Sequence, residues 1–379
     1  MTATASAPVI WIHCGEAREA PSTVSLAHRL TELGQNARVL ITADATTLDA
    51  IDLPEGLAHL TPVPAETTTR IREFWTEWRP RYLIWNGCPL RPTLLRWAHR
   101  EGLPATFINA RIAGLLAGTS RWMPGAVRAA VAPFERIMTA DGATATRLTR
   151  GGVPRDTVTA VGPILEEPLP LPHDPNEMAV MAEAVEARPI WLAADIVPAE
   201  VKHMAAAHRV ASRKSHRLLM IVIPRDEDSG PSVAATLREA GLNVGLRSAG
   251  DDPLPENQAY IADLPGEIGL WYRLAPLSFV GGTLSGGGAA SPFDAIALGS
   301  AVVHGTRKAP HQARFARLAD AEASREIRSA SELGIAIGTL ILPEKTARMA
   351  LAGWEEVTRN AAPLNDLART ALDRAEVGA

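Results

Sequence analysis

The sequence is poor in several things, and each scarcity excludes a class of protein. Two cysteines, Cys14 and Cys88, in 379 residues exclude a disulfide framework and any cysteine-based metal spacing, and point to a reducing compartment. No apolar run reaches the ~18 residues of a membrane span, and no charged-then-apolar leader precedes the first strand. A net charge of −4 offers nothing to neutralise a nucleic-acid backbone. No internal repeat of solenoid length occurs. Tyrosine is scarce, three residues against nine tryptophans, and several tryptophans stand beside arginines. What is present is ordinary for a soluble globular protein, 46% hydrophobic and 21% charged. The length exceeds one typical core, so two domains are expected.

Apolar strand-like runs alternate with helical patterns through both halves. Val9–His13, Ala37–Thr42, Pro80–Trp85, Ala105–Asn109, Phe134–Thr139 and Thr157–Val161 read as strands in the first half. Pro189–Ala193, Arg217–Ile223, Asn243–Arg247, Ala259–Ile261, Leu277–Val280 and Ala301–His304 do so in the second. Such alternation indicates α/β architecture with doubly wound parallel sheets. The proline-rich segment Pro163–Pro175 reads as a connection between domains. The expected organisation is a Rossmann-like domain over 1–165, a linker over 166–188, a second Rossmann-like domain over 189–345, and helices over 346–379 returning to the first domain.

The most informative stretch follows Leu277–Val280. Five glycines fall between Gly281 and Gly288, and a helix start follows. Ser291 suits an N-cap, Pro292 the first helical position, and Asp294 the acid of a capping box. A strand, a bare-backbone turn and a helix N-terminus can hold an anion on outward amides. Read alone, the stretch is equally a tight turn with an ordinary cap. It matches neither the Walker A pattern nor G-x-G-x-x-G.

Several segments together resemble the Kdo transferases, GT-B enzymes that move 3-deoxy-D-manno-octulosonic acid from CMP-Kdo onto lipid A precursors. Ala262-Asp-Leu-Pro-Gly-Glu-Ile-Gly-Leu-Trp-Tyr-Arg-Leu-Ala275 resembles the family's A-D-x-x-G-E-L-G-L-x-Y-R-x-A, and Phe279–Leu284 its F-V-G-G-S-L. Ile221–Arg225, Ile190–Ala194 and Ile108–Ile112 are similar to further family segments. The departures are specific. The family's G-G-H-N-P-L-E-P corresponds to Gly288–Ala295, with Ala290 and Ser291 in place of histidine and asparagine, and Asp294 in place of glutamate. Its S-T-H is Asp195–Val197, its E-T-E-L-W-P is Gly87–Pro92, and its H-A-V-S-V-G-E is His13–Glu19. No segment corresponds to the family's N-terminal membrane helix. The nucleotide half is partly kept and the acceptor half rewritten.

The resemblance implies a GT-B fold, two Rossmann-like domains facing a cleft. It implies an inverting transfer from a CMP-sugar, with a carboxylate of the first strand-to-helix loop as base for the acceptor hydroxyl. Ungapped matching puts Glu19 in that role; Glu16 keeps the Gly-Glu dipeptide at a shift of three residues, and both stay open. On the donor side it implies Arg225, Gly266, Glu267, Gly287, Gly288, Ser291 and Asp294, and on the sugar or acceptor side Arg111. Read alone, these are surface charges, helix starts and a cap. His13, His304 and His311 lack metal-ligand spacing, and Asp226–Asp228 and Asp251–Asp252 read as solvated loop acids, so no metal and no cofactor beyond the donor sugar is expected.

The implied partners are a nucleotide-sugar donor and a lipid A precursor or other glycan acceptor, in the cytoplasm. Arg70–Arg81 and Ser120–Arg128 mix tryptophan with arginine, which suits peripheral contact with the inner membrane or, equally, core tryptophans with outward arginines. Two other readings stay open: a GT-B enzyme of a different nucleotide sugar, such as a UDP-sugar transferase or epimerase, and a catalytically impaired paralogue that binds nucleotide or glycolipid.

Overall fold

The computed structural model describes residues 7–34, 36–115, 124–185 and 188–377. The chain forms two compact units, Met1–Glu167 with Asn360–Ala379, and Pro168–Arg359.

The first unit holds seven parallel strands: β1 Val9–Cys14, β2 Arg38–Ala43, β3 His59–Pro62, β4 Pro80–Asn86, β5 Ala105–Ala110, β6 Arg136–Thr139 and β7 Val158–Ala160. Their order is β3-β2-β1-β4-β5-β6-β7. The apolar runs form a sheet covered on both faces because successive side chains point to opposite sides. Ile10 and Ile12 pack with Leu26, Leu30 and the helix Ala361–Val377. Trp11 packs on the other face with Trp85, Phe107 and Leu148.

The second unit repeats the arrangement with β8 Ile190–Ile196, β9 Leu219–Pro224, β10 Val244–Leu246, β11 Ala259–Ile261, β12 Leu277–Val280, β13 Ala301–His304 and β14 Ser324–Glu326. The order is β10-β11-β9-β8-β12-β13-β14. The architecture is α/β, built of two Rossmann-like doubly wound sheets, as expected.

The differences from the sequence reading have local causes. Strands β3 and β14 were not anticipated; both are sheet edges without a single buried residue, so neither carries an apolar run. Part of the segment read as linker is the helix Pro175–Val185, held in the second unit by buried Met181 and Val185. Helix Pro343–Thr358 belongs to the second unit, with Met349 and Val357 buried there. The Arg70–Arg81 segment is largely the helix Thr68–Trp78; Ile71 and Phe74 are buried, Trp75 and Trp78 pack partly against the same core, and Arg70 pairs outward with Glu73. Residues 120–123 of the other tryptophan–arginine segment lie outside the described residues. No described helix is long and apolar enough to cross a membrane.

His13 shows how polar groups are housed in this core. Trp11 Nε1 donates to Thr42 Oγ1 at 2.8 Å, and the same hydroxyl lies 3.0 Å from His13 Nδ1. The imidazole packs at a tilt against the Trp85 ring, the centroids 3.9 Å apart. Burial, reinforced by the charge of Arg91, pushes the His13 pKa down to about 3. The unfolded chain takes up a proton near the ordinary value of 6.5 and the folded chain does not, so stability falls as pH drops below about 6.5 and keeps falling toward about 3. At pH 5 the expected loss from this group is about 2 kcal/mol. Urea midpoints at pH 7 and pH 5 check it: wild type should lose more than His13→Asn, and equal losses would contradict the assignment.

Candidate active site

In a doubly wound sheet, ligands collect at the carboxyl ends of the two strands where the winding reverses. Those strands are β1 and β4 in the first unit and β8 and β12 in the second.

In the first unit the chain leaves β1 through Gly15, whose amide donates to the Asn86 carbonyl at 2.8 Å. A 3-10 turn, Ala17–Glu19, then leads into the helix Ala20–Leu33. Glu19 ends that turn and is only 3% exposed. Its Oε2 accepts from Asn109 Nδ2 at 2.8 Å, and its Oε1 pairs with Arg111 and lies 3.3 Å from Arg18 Nε. An ionised carboxylate offers about four lone pairs, so these three donors leave room for one more. Gly87, just past β4, makes the space: a Cβ there would stand 2.8 Å from Glu19 Cγ.

Asn109 itself is held in a left-handed conformation, φ +53°. Its Nδ2 also reaches Asn86 Oδ1 at 2.9 Å, and its Oδ1 accepts from the Ile164 amide at 2.8 Å. Asn86 in turn donates to the hydroxyls of Ser22 and Thr23, both at 3.0 Å. Three strand ends and the first helix are thereby locked around one carboxylate. Glu16 is placed differently: its side chain is 32% exposed and pairs with Arg18 at 2.6 Å. The structure thus brings Glu19 and Arg111 together and leaves Glu16 half-buried beside Arg18, outside the asparagine network. Burial pushes the Cys14 and Cys88 thiols up to about 11, so neither is a thiolate nucleophile at neutral pH.

In the second unit the glycine stretch follows β12. Its first amides are already occupied. Glu200, fully buried at the end of the 3-10 turn Pro198–Glu200, accepts from the amides of Gly282 at 2.7 Å, Leu284 at 2.9 Å and Ser285 at 3.1 Å. The anion that this half of the loop was built to hold is the protein's own. Gly282 has φ +70°, and a Cβ there would stand 1.8 Å from the Gly288 carbonyl oxygen, so the fold of the loop demands glycine. The amides of Gly286, Gly287 and Gly288 have no acceptor among the described residues. An incoming phosphate would find its donors there.

Arg225 ends β9 and reaches across to the same loop. It donates to Asp195 Oδ2 from Nε at 2.9 Å, to the Gly287 carbonyl at 2.6 Å and to the Gly288 carbonyl at 2.7 Å. Its fork is divided between Asp195 and the two loop carbonyls, which makes it first a positioning group for Gly287 and Gly288. Ser291 caps the helix Pro292–Ala297 by accepting from the Phe293 amide at 3.3 Å, and also accepts from Arg314 at 2.9 Å. Asp294 lies in that helix's first turn. Gly266 takes φ +78° just before the helix Ile268–Leu274. Glu267 is engaged by Arg247 in a two-pronged pair at 2.5 and 2.7 Å, and Arg247 also holds Glu177 at 2.6 Å. That cluster ties the helix Pro175–Val185 to the helix Ile268–Leu274.

Sequence reading missed Asn86, Asn109 and Glu200. The asparagines act through contacts with distant residues; Asn109 lies within the family-like segment Ile108–Ile112, but nothing local signals its role. Glu200 did carry one: it follows Ala194 by the same six residues that separate His13 from Glu19, each acid closing a strand, 3-10 turn and helix entry.

Comparison with known proteins adds the following. A family model described as 3-deoxy-D-manno-octulosonic-acid transferase (kdotransferase) matches residues 1–165. A 3-deoxy-D-manno-octulosonic acid transferase of Bordetella pertussis is 27% identical over 330 residues, covering 83% of this chain and 74% of that protein. One of Haemophilus influenzae is 23% identical over 325 residues, covering 82% and 74%. Among solved structures, the C-terminal CMP-Kdo binding domain of WaaA from Acinetobacter baumannii aligns with 48% of this chain and 97% of that one, at 25% identity and a TM-score of 0.46. MurG of the same organism aligns with 96% and 99%, at 12% identity and a TM-score of 0.49.

Proposed function

We propose that this chain, similar to the Kdo transferases over its first 165 residues and to curated members at 23–27% identity, is a glycosyltransferase that moves Kdo or a related sugar from a CMP-sugar onto a hydroxyl of a lipid A-type or other glycan acceptor. The observation that carries this reading is the Glu19 carboxylate, buried at the switch point of the first sheet with one lone pair to spare and Arg111 beside it.

An alcohol is a poor nucleophile until its proton leaves. In this reading the acceptor oxygen attacks the anomeric carbon of the donor while its proton passes to Glu19. The bond from that carbon to the phosphate oxygen breaks, and CMP departs with the electron pair. Its phosphate charge is met by the amides of Gly286, Gly287 and Gly288, preorganised by Glu200 and Arg225. The leaving group carries a single phosphate, so backbone donors can serve without a metal. Arg111 is placed to meet an anionic group of the sugar or the acceptor. Ser291 and Asp294 are the groups of the loop helix nearest in sequence to the nucleotide cradle.

Calorimetric titration with CMP and UDP, followed by a transfer assay with CMP-Kdo, tests the donor. CMP is expected to bind at least about tenfold more tightly, a difference of about 1.4 kcal/mol. A preference for UDP would defeat the donor assignment.

A further inference from the structure

A second cavity in the second unit has no part in the proposed reaction. It lies under the amino ends of the strands, the edge opposite the glycine loop, and is an open cleft of about 1010 Å³. Ile190, Pro276 and Gly299 mark the strand starts that roof it, while Val185, Leu274 and Ala350 come from the surrounding helices. Ligand pockets run to about 1,000 Å³ and are mostly apolar with a few polar groups to orient the guest. This one has that composition.

Its charges are of one sign. Lys214, Lys345 and Arg188 line it, and no carboxylate does so among the described residues. Arg188 is occupied, donating to the carbonyls of Arg217, Leu254 and Asn257 at 3.1, 3.0 and 2.6 Å. The two lysines are not: among the described residues neither ammonium has an ion-pair or hydrogen-bond partner. Lys214 follows the helix Val201–Ser212, where the helix dipole favours a cation. Its stem crosses Gly338, where a Cβ would stand 3.4 Å from Lys214 Cδ. Lys345 is harder to explain by the fold. It lies half-buried in the first turn of the helix Pro343–Thr358, where the dipole disfavours a positive charge. A cation kept against the dipole, without a partner, on the wall of an apolar cavity suits an anion brought by a ligand.

We propose that this cavity binds a single-chain amphipathic anion, its acyl chain against the apolar wall and its head group between Lys214 and Lys345. Burying the chain removes apolar surface from water at about 25 cal/mol per Å², and the lysines select the charged head. The proposal does not depend on the identity of the sugar or of its donor.

Calorimetry on the full chain with dodecyl phosphate below its micelle concentration tests it. One-to-one binding is expected, with dodecanol at least about tenfold weaker and inorganic phosphate silent. Lys345→Gln, a half-buried change, should weaken binding by about fivefold or more. Ala350→Phe should fill the space and abolish it, with circular dichroism and thermal unfolding showing that each variant is folded. Vesicles of anionic phospholipid distinguish the source: competition by vesicles assigns the ligand to a membrane, and its absence assigns a free amphiphile. No binding by wild type overturns the proposal. So does equal binding by wild type, Lys345→Gln and Ala350→Phe, the signature of adsorption elsewhere.

Discussion

Glu19→Gln is expected to slow sugar transfer by about 10²- to 10⁴-fold, the usual contribution of a positioned general base. The substitution keeps the shape of the side chain and its acceptor for Asn109 Nδ2, but it cannot take a proton. Its structural cost is limited, because Arg111 is 27% exposed and can turn to water when it loses its partner. Glu16→Gln is the matched control. Glu16 pairs outward with the exposed Arg18 and touches none of the asparagine network, so its loss should change turnover by less than about threefold. Steady-state transfer rates for both variants decide the matter. If Glu16→Gln is the damaging change, the base has been placed on the wrong carboxylate. If neither matters, the first sheet's switch point is not the catalytic centre.

Glu200→Ala has the second large expected effect, and it acts through the loop instead of the chemistry. Removal of the carboxylate strands three backbone amides, that of Gly282 buried and those of Leu284 and Ser285 part-buried. Each unsatisfied group costs about 1–3 kcal/mol, so a loss of about 3–5 kcal/mol in stability is expected after partial relaxation. The glycines downstream have no side chains to hold them, so CMP affinity should fall by at least about tenfold as the amides of Gly286–Gly288 lose their alignment. Glu200→Gln separates charge from shape. Its Oε1 can still serve Leu284 and Ser285, but the amide nitrogen then faces the Gly282 N–H, donor against donor. An intermediate loss is expected. Urea unfolding and CMP titration measure the two effects separately. A nucleotide affinity unchanged in both variants would show that the cradle is ordered by something other than Glu200.

These two acids illustrate how much was legible beforehand. Glu19 was found by matching His13–Glu19 to a family pattern, and Arg111 by its place at a strand end. Their pairing was not foreseen, because 92 residues separate them. Arg225 was read as a phosphate ligand from its strand-end position; the geometry spends most of its guanidinium on Asp195 and two loop carbonyls. Glu267 was read toward the nucleotide, and it is engaged by Arg247, which sequence reading did not single out. The glycine stretch reads from sequence as a site for a ligand's anion; in the structure three of its amides are filled from within by Glu200.

By itself the sequence determined what depends on neighbours along the chain. Apolar runs of five to seven residues specify strands, alternation with amphipathic helices specifies a parallel sheet covered on both faces, and clustered glycines specify a turn no other residue can make. The tertiary structure alone decided which charges meet. Asn86 and Asn109 converge on Glu19 from separate parts of the first unit, and Ile164 from a third holds Asn109. Arg225 and Glu200 converge on one loop of the second. A side chain's partner is set by where strands lie in the sheet, not by their order in the chain. The switch points at β1/β4 and β8/β12 join residues as far apart as Ile10 and Tyr82 or Ala193 and Phe279, and no local propensity encodes that distance.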